Sequence, residues 1–373
     1  MFFCIFAKNF RNIFIKRRNM GKLALYKYAY FLSIVLTFGL TVITISGALA
    51  GNVSPKLNMF MTVVGLALPV LLIVNVVVLL YWLIRRRVWC ILPLVALLAN
   101  WHYISATIQI SASGESPDGY MLKVMTLNAR NFVDDDQDDS VDEIKNFIDD
   151  ESINVVCFQE YRDYVTGRPE RISNFFSSIF PYRAVSGSVA TFSKFPILAK
   201  DYVTFRESNN CAQWVDLETE RGKSVRVFNV HMQTTGVNSA LHQAAKMERQ
   251  GIPVDNGQRA AMVTNRMGYE YIRRAEQADI LSDIVKETNV PMVLCGDFND
   301  TPASYTYKRL KGRMKDGFKS AGKGYMYTYR GAKGWARIDY IFHSESLGGV
   351  RYYSPEKDWS DHNPVIMEMN LPQ

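Results

Sequence analysis

The chain has 373 residues, 48% of them apolar, and a formal charge of +7. A basic total points first to nucleic acid, but residues 1–114 carry eleven Lys and Arg and no acidic residue, leaving 32 of the 43 basic residues against all 36 acidic ones in residues 115–373. The excess therefore belongs to the N-terminal segment, which excludes a uniformly basic surface, and five cysteines without a paired pattern exclude a disulfide scaffold.

In chain order, a basic arm over 1–28 comes first and is read as cytoplasmic, with Met20-Gly21-Lys22 offering a second plausible start. Three windows without charge follow: Tyr28–Pro55, Met59–Ile84 and Val88–Gly114. A bilayer core needs ~20 apolar residues in a helix, so three transmembrane helices are predicted within 29–110, roughly 29–50, 59–83 and 88–110. Asn100, His102 and Gln109 dilute the third. Lys and Arg are retained on the cytoplasmic side. Lys8, Arg11, Lys16, Arg17, Arg18, Lys22 and Lys27 precede the first helix, Arg85, Arg86 and Arg87 follow the second, and only Lys56 occupies the other loop. The expected product is an integral protein of a bacterial-type inner membrane, with everything after the third helix extracytoplasmic.

Residues 111–120, small and polar with Gly and Pro, read as a linker. Residues 121–373 are long enough for one substantial core. Short β-rich runs (121–127, 153–158, 188–192, 224–230, 291–295, 337–342, 364–369) alternate there with helical patterns (140–151, 168–179, 267–288), the mark of a layered α/β domain. Between Phe132 and Ser140, five carboxylates in six residues (134–139) lack the ligand spacing and glycine turn of a calcium loop and read as a solvated loop. Residues 233–266 are polar and read as a loop over a cleft. Arg274 and Gln277 share one face of the next helix as structural support.

Chemistry concentrates where apolar runs stop. Val293-Leu294-Cys295-Gly296-Asp297-Phe298-Asn299-Asp300 reads as a buried strand presenting Asp297 and Asn299 at its mouth, a carboxylate and an amide able to hold and activate one water. Asn128 ends Met125-Thr126-Leu127, Glu160 ends Cys157-Phe158-Gln159, and His231 ends Phe228-Asn229-Val230. Arg337-Ile338-Asp339-Tyr340-Ile341 and Ser360-Asp361-His362 complete the set. A carboxylate such as Glu160 beside a buried strand is costly unless paired or metal-bound, and hard oxygen donors suit Mg²⁺ or Mn²⁺.

This ordered series, over about residues 121 to 371, resembles the endonuclease/exonuclease/phosphatase family with its DNase I-like fold. The resemblance implies two packed sheets flanked by helices, so the expected chain is α/β, with the N-terminal transmembrane helices read above followed by a DNase I-like two-sheet α/β sandwich. It implies Glu160 as principal metal ligand, with Asn128 and Asp361 beside it. His231 falls where the phosphatase and phosphodiesterase branches place a histidine toward a phosphoryl oxygen, and Asp339 where it would orient His362.

The expected activity is metal-dependent hydrolysis of a phosphodiester or phosphomonoester, by in-line attack of water with Asp297 as base. A nuclease and a non-catalytic tethered module are the alternatives. Residues 308–337 hold ten Lys and Arg and read first as a solvated loop face, with a phosphate-contacting rim as the alternative and Arg330 and Arg337 its best candidates. Nucleic acid is a possible but not the favoured partner, and the sequence sets neither substrate nor oligomeric state.

Overall fold

The computed structural model describes residues 2–110, 114–134, 136, 138–164, 171–219, 222–332 and 334–371, with backbone alone at 2–21 and 332. Residues 111–113 of the expected linker, Asp135 and Gln137, the start of the helix expected at 168–179, and the side chains of Lys8, Arg11, Lys16, Arg17 and Arg18 lie outside the described residues. The chain divides into two compact units, Met1–Ala48 with Ala67–Trp101, and Leu49–Leu66 with His102–Gln373.

The first unit is helical. Two helices, Lys22–Asn52 and Met59–Ile84, are long and apolar enough to cross a membrane. The expected third is broken: Val88–Ala99 and Trp101–Thr107 meet at 59°, so the pair is one bent span or none. The break falls at Asn100, whose buried amide donates to the carbonyls of Ala96 (2.9 Å) and Thr44 (2.8 Å). Asn75 donates to the Thr44 hydroxyl at 2.7 Å and the Trp82 indole to Thr37 at 2.9 Å. Such bonds between apolar helices contribute about 0.6–2 kcal/mol each.

The second unit holds two six-stranded sheets. One runs, edge to edge, through Gly348–Tyr353, Val365–Asn370, Met121–Asn128, Val155–Gln159, Val189–Ser193 and Tyr182–Ser186. The other runs through Lys315–Asp316, Asp339–His343, Met292–Asp297, Ser224–His231, Cys211–Glu218 and Ile197–Thr204. Alternate residues of the central strands face opposite layers: Val293 and Cys295 join Val124, Val155, Val227 and Ile341 between the sheets, while Leu294 packs outward with Phe228, Ala278 and Leu281. Both faces of each sheet are thus buried, which is why the central strands read as unbroken apolar runs. Each buried Val, Leu or Ile contributes about 1.5–3 kcal/mol.

Two expectations change here. Residues 233–266 are largely helical: Val237–Arg249 and Asn256–Glu287 form two helices, the second opened by a capping box between Asp255 and Gln258. The described part of the linker is no loose tether. Glu115 donates its N–H to Gly349 (2.7 Å), Asp118 to the Asn370 side chain (2.9 Å), and Leu371 to the Tyr120 carbonyl (3.1 Å). Backbone bonds outweigh the flexibility that Gly and Pro suggested.

Candidate active site

The strand directions bring the chemistry to one edge. Met121–Asn128 pairs in parallel with Val155–Gln159, Ser224–His231 pairs in parallel with Met292–Asp297, and Asp339 opens an antiparallel strand opposite Asp297. Asn128, Glu160, His231 and Asp297 therefore leave their strands at the same end. Gly296 makes the last crossing possible: its φ is +138°, and a Cβ there would lie 1.9 Å from the Val230 carbonyl oxygen. Beneath the site the Gln159 amide donates to Asn229 Oδ1 at 2.7 Å, and the Asn229 amide donates to the Phe158 and Ala190 carbonyls, joining the two sheets.

A cleft of about 480 Å³ opens here, lined among others by Asn128, Glu160, Asp297, Asn299, Asp361 and His362. Asp297 is 1% exposed. Its Oδ1 accepts from the Asn299 backbone N–H (2.8 Å), and its Oδ2 from the side-chain amides of Asn299 and Asn128 (3.0 Å each). Asn128 also donates to Glu160 Oε1 at 3.1 Å, so one amide spans both carboxylates. Glu160 and Asn299 hold left-handed backbones, φ 47° and 52°, a conformation uncommon outside glycine and concentrated at functional sites.

The two histidines differ. His362 Nδ1 meets Asp339 Oδ2 at 2.9 Å, and its Nε2 lies 3.9 Å from Asp297 Oδ2. Burial alone would lower the His362 imidazole, but Asp339 and then Asp297 outweigh it and push it up to about 10. His231 is lowered to about 4 by burial, against the pull of Glu160. Its ring is neutral, so its 4.0 Å approaches to Glu160 and Asp297 are not ion pairs, and neither nitrogen has a hydrogen-bond partner. Burial, then the charge of Asp339, pushes Asp297 up to about 7.

Two donor groups could hold a cation. Asp297, Asp339 and His362 each bring one ligand atom within 4.8 Å of the others, but an imidazolium offers no lone pair. The carboxylates Glu160 and Asp361 line the open cleft, and carboxylate oxygens match a hard ion such as Mg²⁺ or Mn²⁺; Asn128 stands beside them with its amide N–H toward Glu160 and its Oδ1 accepting from the Arg130 backbone.

The phosphate-contacting rim is not formed as read. Arg337 is fully buried and pairs with both oxygens of Asp316 (2.8 and 2.6 Å), donates to the Ala106 carbonyl and lies over the Tyr340 ring, so it is structural. Arg330 braces the motif loop, donating through its side chain to the Ser360 carbonyl and through its backbone to Asp361 (2.8 Å each). Arg274 meets Asp300 at 3.2 Å and Gln277 accepts from the Gln233 backbone, the supporting positions expected. Three contributors went unread. Thr328 accepts from the backbone of Ile338 and Asp339, the Tyr329 ring packs 5.0 Å from His362, and Ser360 donates to the Asn128 carbonyl. Only Ser360, inside Ser360-Asp361-His362, carried a sequence signal.

The model of the Endonuclease/Exonuclease/phosphatase family matches residues 125–362, more than half of the chain. The chain belongs to that family. Members of the endonuclease/exonuclease/phosphatase family hydrolyse phosphate esters and generally use divalent metals. The model of a domain of unknown function matches residues 28–107.

Among solved structures, the fold is similar to an endonuclease/exonuclease/phosphatase from Bacteroides vulgatus (20% identity, 68% of this chain and 100% of that one, TM-score 0.47). It is also similar to a family protein from Bacteroides thetaiotaomicron (18%, 69% and 100%, 0.49) and to a mannosyl-6-phosphatase from the same organism (18%, 66% and 99%, 0.45). No curated protein matches significantly.

Proposed function

We propose that this chain is a membrane-anchored, divalent-metal-dependent phosphoesterase that hydrolyses a phosphodiester or phosphomonoester by in-line attack of water. The observation that carries the reading is the buried Asp297, held by Asn299 and Asn128 beside Glu160, with both histidines facing it. Asp297 takes the proton of the attacking water while Asn299 fixes its carboxylate. Glu160 and Asp361 would hold the metal, with Asn128 fixing Glu160 from beside it, and the metal would supply charge to neutralise what develops on the phosphoryl group. His362, kept cationic and oriented by Asp339, and the unpartnered His231 meet the phosphoryl oxygens. A buried imidazole without a partner costs about 1–3 kcal/mol, which a substrate oxygen would offset.

The extracytoplasmic placement has support besides charge. The residues joining the first two candidate spans fall in the same compact unit as residues 102–373. For both to lie on one side of the bilayer, the bent pair Val88–Thr107 must return the chain from the Arg85–Arg87 side. The test is hydrolysis of phosphate esters by the full chain across a Mg²⁺ titration, wild type against Glu160→Gln. Half-maximal rate should need far more Mg²⁺ in the variant, and an unchanged titration removes Glu160 from the site.

A further inference from the structure

Among the residues lining the catalytic cleft is Leu66, which lies on the helix Met59–Ile84, a candidate membrane span. At ~1.5 Å per residue this helix is about 39 Å long, more than the ~30 Å hydrocarbon core. Its far end adjoins Arg85-Arg86-Arg87, which fixes Ile84 near one interface. Counting ~20 residues back from Ile84 ends at Gly65. Met59–Val64 then project beyond the hydrocarbon, and Leu66 stands at its boundary.

This end of the helix is built onto the fold around the cleft. Lys56 pairs with Glu276 at 2.7 Å, and a Cβ on Gly65 would lie 3.0 Å from Ala50 Cβ and 3.5 Å from the Ala303 carbonyl oxygen. Leu57, Phe60 and Val63, at this end of the helix, leave 83%, 60% and 56% of their surface exposed. Cations stand near the ends of the candidate spans: Lys308 bonds Asn52, and Lys319 Nζ lies 3.4 Å from His102 Nδ1. Lys319 lines a cavity of about 590 Å³ with Lys311 and Arg313, where Glu115 and Asp316 also stand and Lys315 pairs with Glu345 at 3.1 Å. Basic clusters at this level attract anionic headgroups.

We propose that the substrate is the phosphate-ester headgroup of an anionic membrane lipid, entering the cleft past Leu66 while its acyl chains stay in the bilayer. This rests on the phosphoesterase reading above. Water forms the new bond to phosphorus and gives its proton to Asp297, the P–O bond to the leaving alcohol breaks, and that oxygen takes up a proton.

The experiment places the full chain in phosphatidylcholine vesicles containing either phosphatidic acid or phosphatidylglycerol, with Mg²⁺. Their deacylated counterparts, glycerol 3-phosphate and glycerophosphoglycerol, and soluble 4-nitrophenyl phosphate esters are assayed in parallel. Sharing one bilayer raises effective concentration, so at least one lipid should be cleaved ~10²-fold faster than its deacylated counterpart at equal bulk concentration. Adding phosphatidylcholine at fixed lipid substrate should slow it by surface dilution. The proposal is overturned if the nitrophenyl esters are hydrolysed while neither lipid outpaces its counterpart, which marks the substrate as soluble. If no ester of any kind is hydrolysed, it is the phosphoesterase reading that fails.

Discussion

Asp297 is a carboxylate fixed on three sides by N–H donors, so replacing it by Asn preserves size and removes the proton acceptor. Substrate binding should persist in Asp297→Asn while turnover falls by ~10²–10⁴-fold, the range of general-base catalysis; binding and rate measured together on the variant check this. Asp339 contacts His362 in this account and also raises Asp297 by its charge, so a comparison of variants at the two positions belongs at a pH well above 7, where Asp297 is ionised with or without it. The double variant Asp339→Asn with His362→Ala should then be little slower than His362→Ala alone, and full additivity in kcat would separate the two. At this scale the sequence was legible where one polar residue ended an apolar run, as at Glu160, His231 and Asp297. Arg337 misled because its partner, Asp316, lies 21 positions away in sequence. Removing that partner leaves a buried cation unpaired, so Asp316→Asn should cost about 3–5 kcal/mol in unfolding. Burial alone would raise Asp316, yet Arg337 holds it below the usual carboxylate range. Its stabilisation is therefore complete above the unfolded value and lost as pH falls through the folded one, so thermal melts of wild type and variant should converge in acid.

The strand Met292–Asp297 delivers Asp297 only because Gly296 lets it pass the Val230 carbonyl. Gly296→Ala adds a Cβ at a φ that side chains rarely adopt and inside a backbone contact, so its cost should exceed the ~1–3 kcal/mol of backbone strain alone; a melting temperature equal to wild type would show that this close approach does not hold. Most central strands were readable because both their faces are buried, although Cys211–Glu218, mostly buried inside its sheet, was not among the runs. Ile197–Thr204 was not, since it is an edge strand exposed at most positions and carries no clear period. The helix Val237–Arg249 and the first turns of Asn256–Glu287, ahead of the helical pattern at 267–288, were missed for another reason. Their polar composition hid them, although Asp255 and Gln258 already spelled the capping box.

For the whole molecule, the number of crossings decides where chemistry takes place. Asn100 bends the last candidate span, and its composition showed dilution there but not the bend. Three crossings predict that a phosphatase reporter fused after Gln373 is active and that a fluorescent reporter confined to the cytoplasm stays dark; the reverse pattern would leave two crossings and a cytoplasmic catalytic unit. The approach of His231 and His362 to Asp297 leads to a more basic claim, that water attacks phosphorus directly and no phosphoenzyme forms. The stereochemical course at phosphorus tests it, read from an ester made chiral there and hydrolysed by the full chain with Mg²⁺. Single in-line displacement predicts inversion of configuration, and retention would contradict the account by requiring a second displacement through a covalent enzyme intermediate.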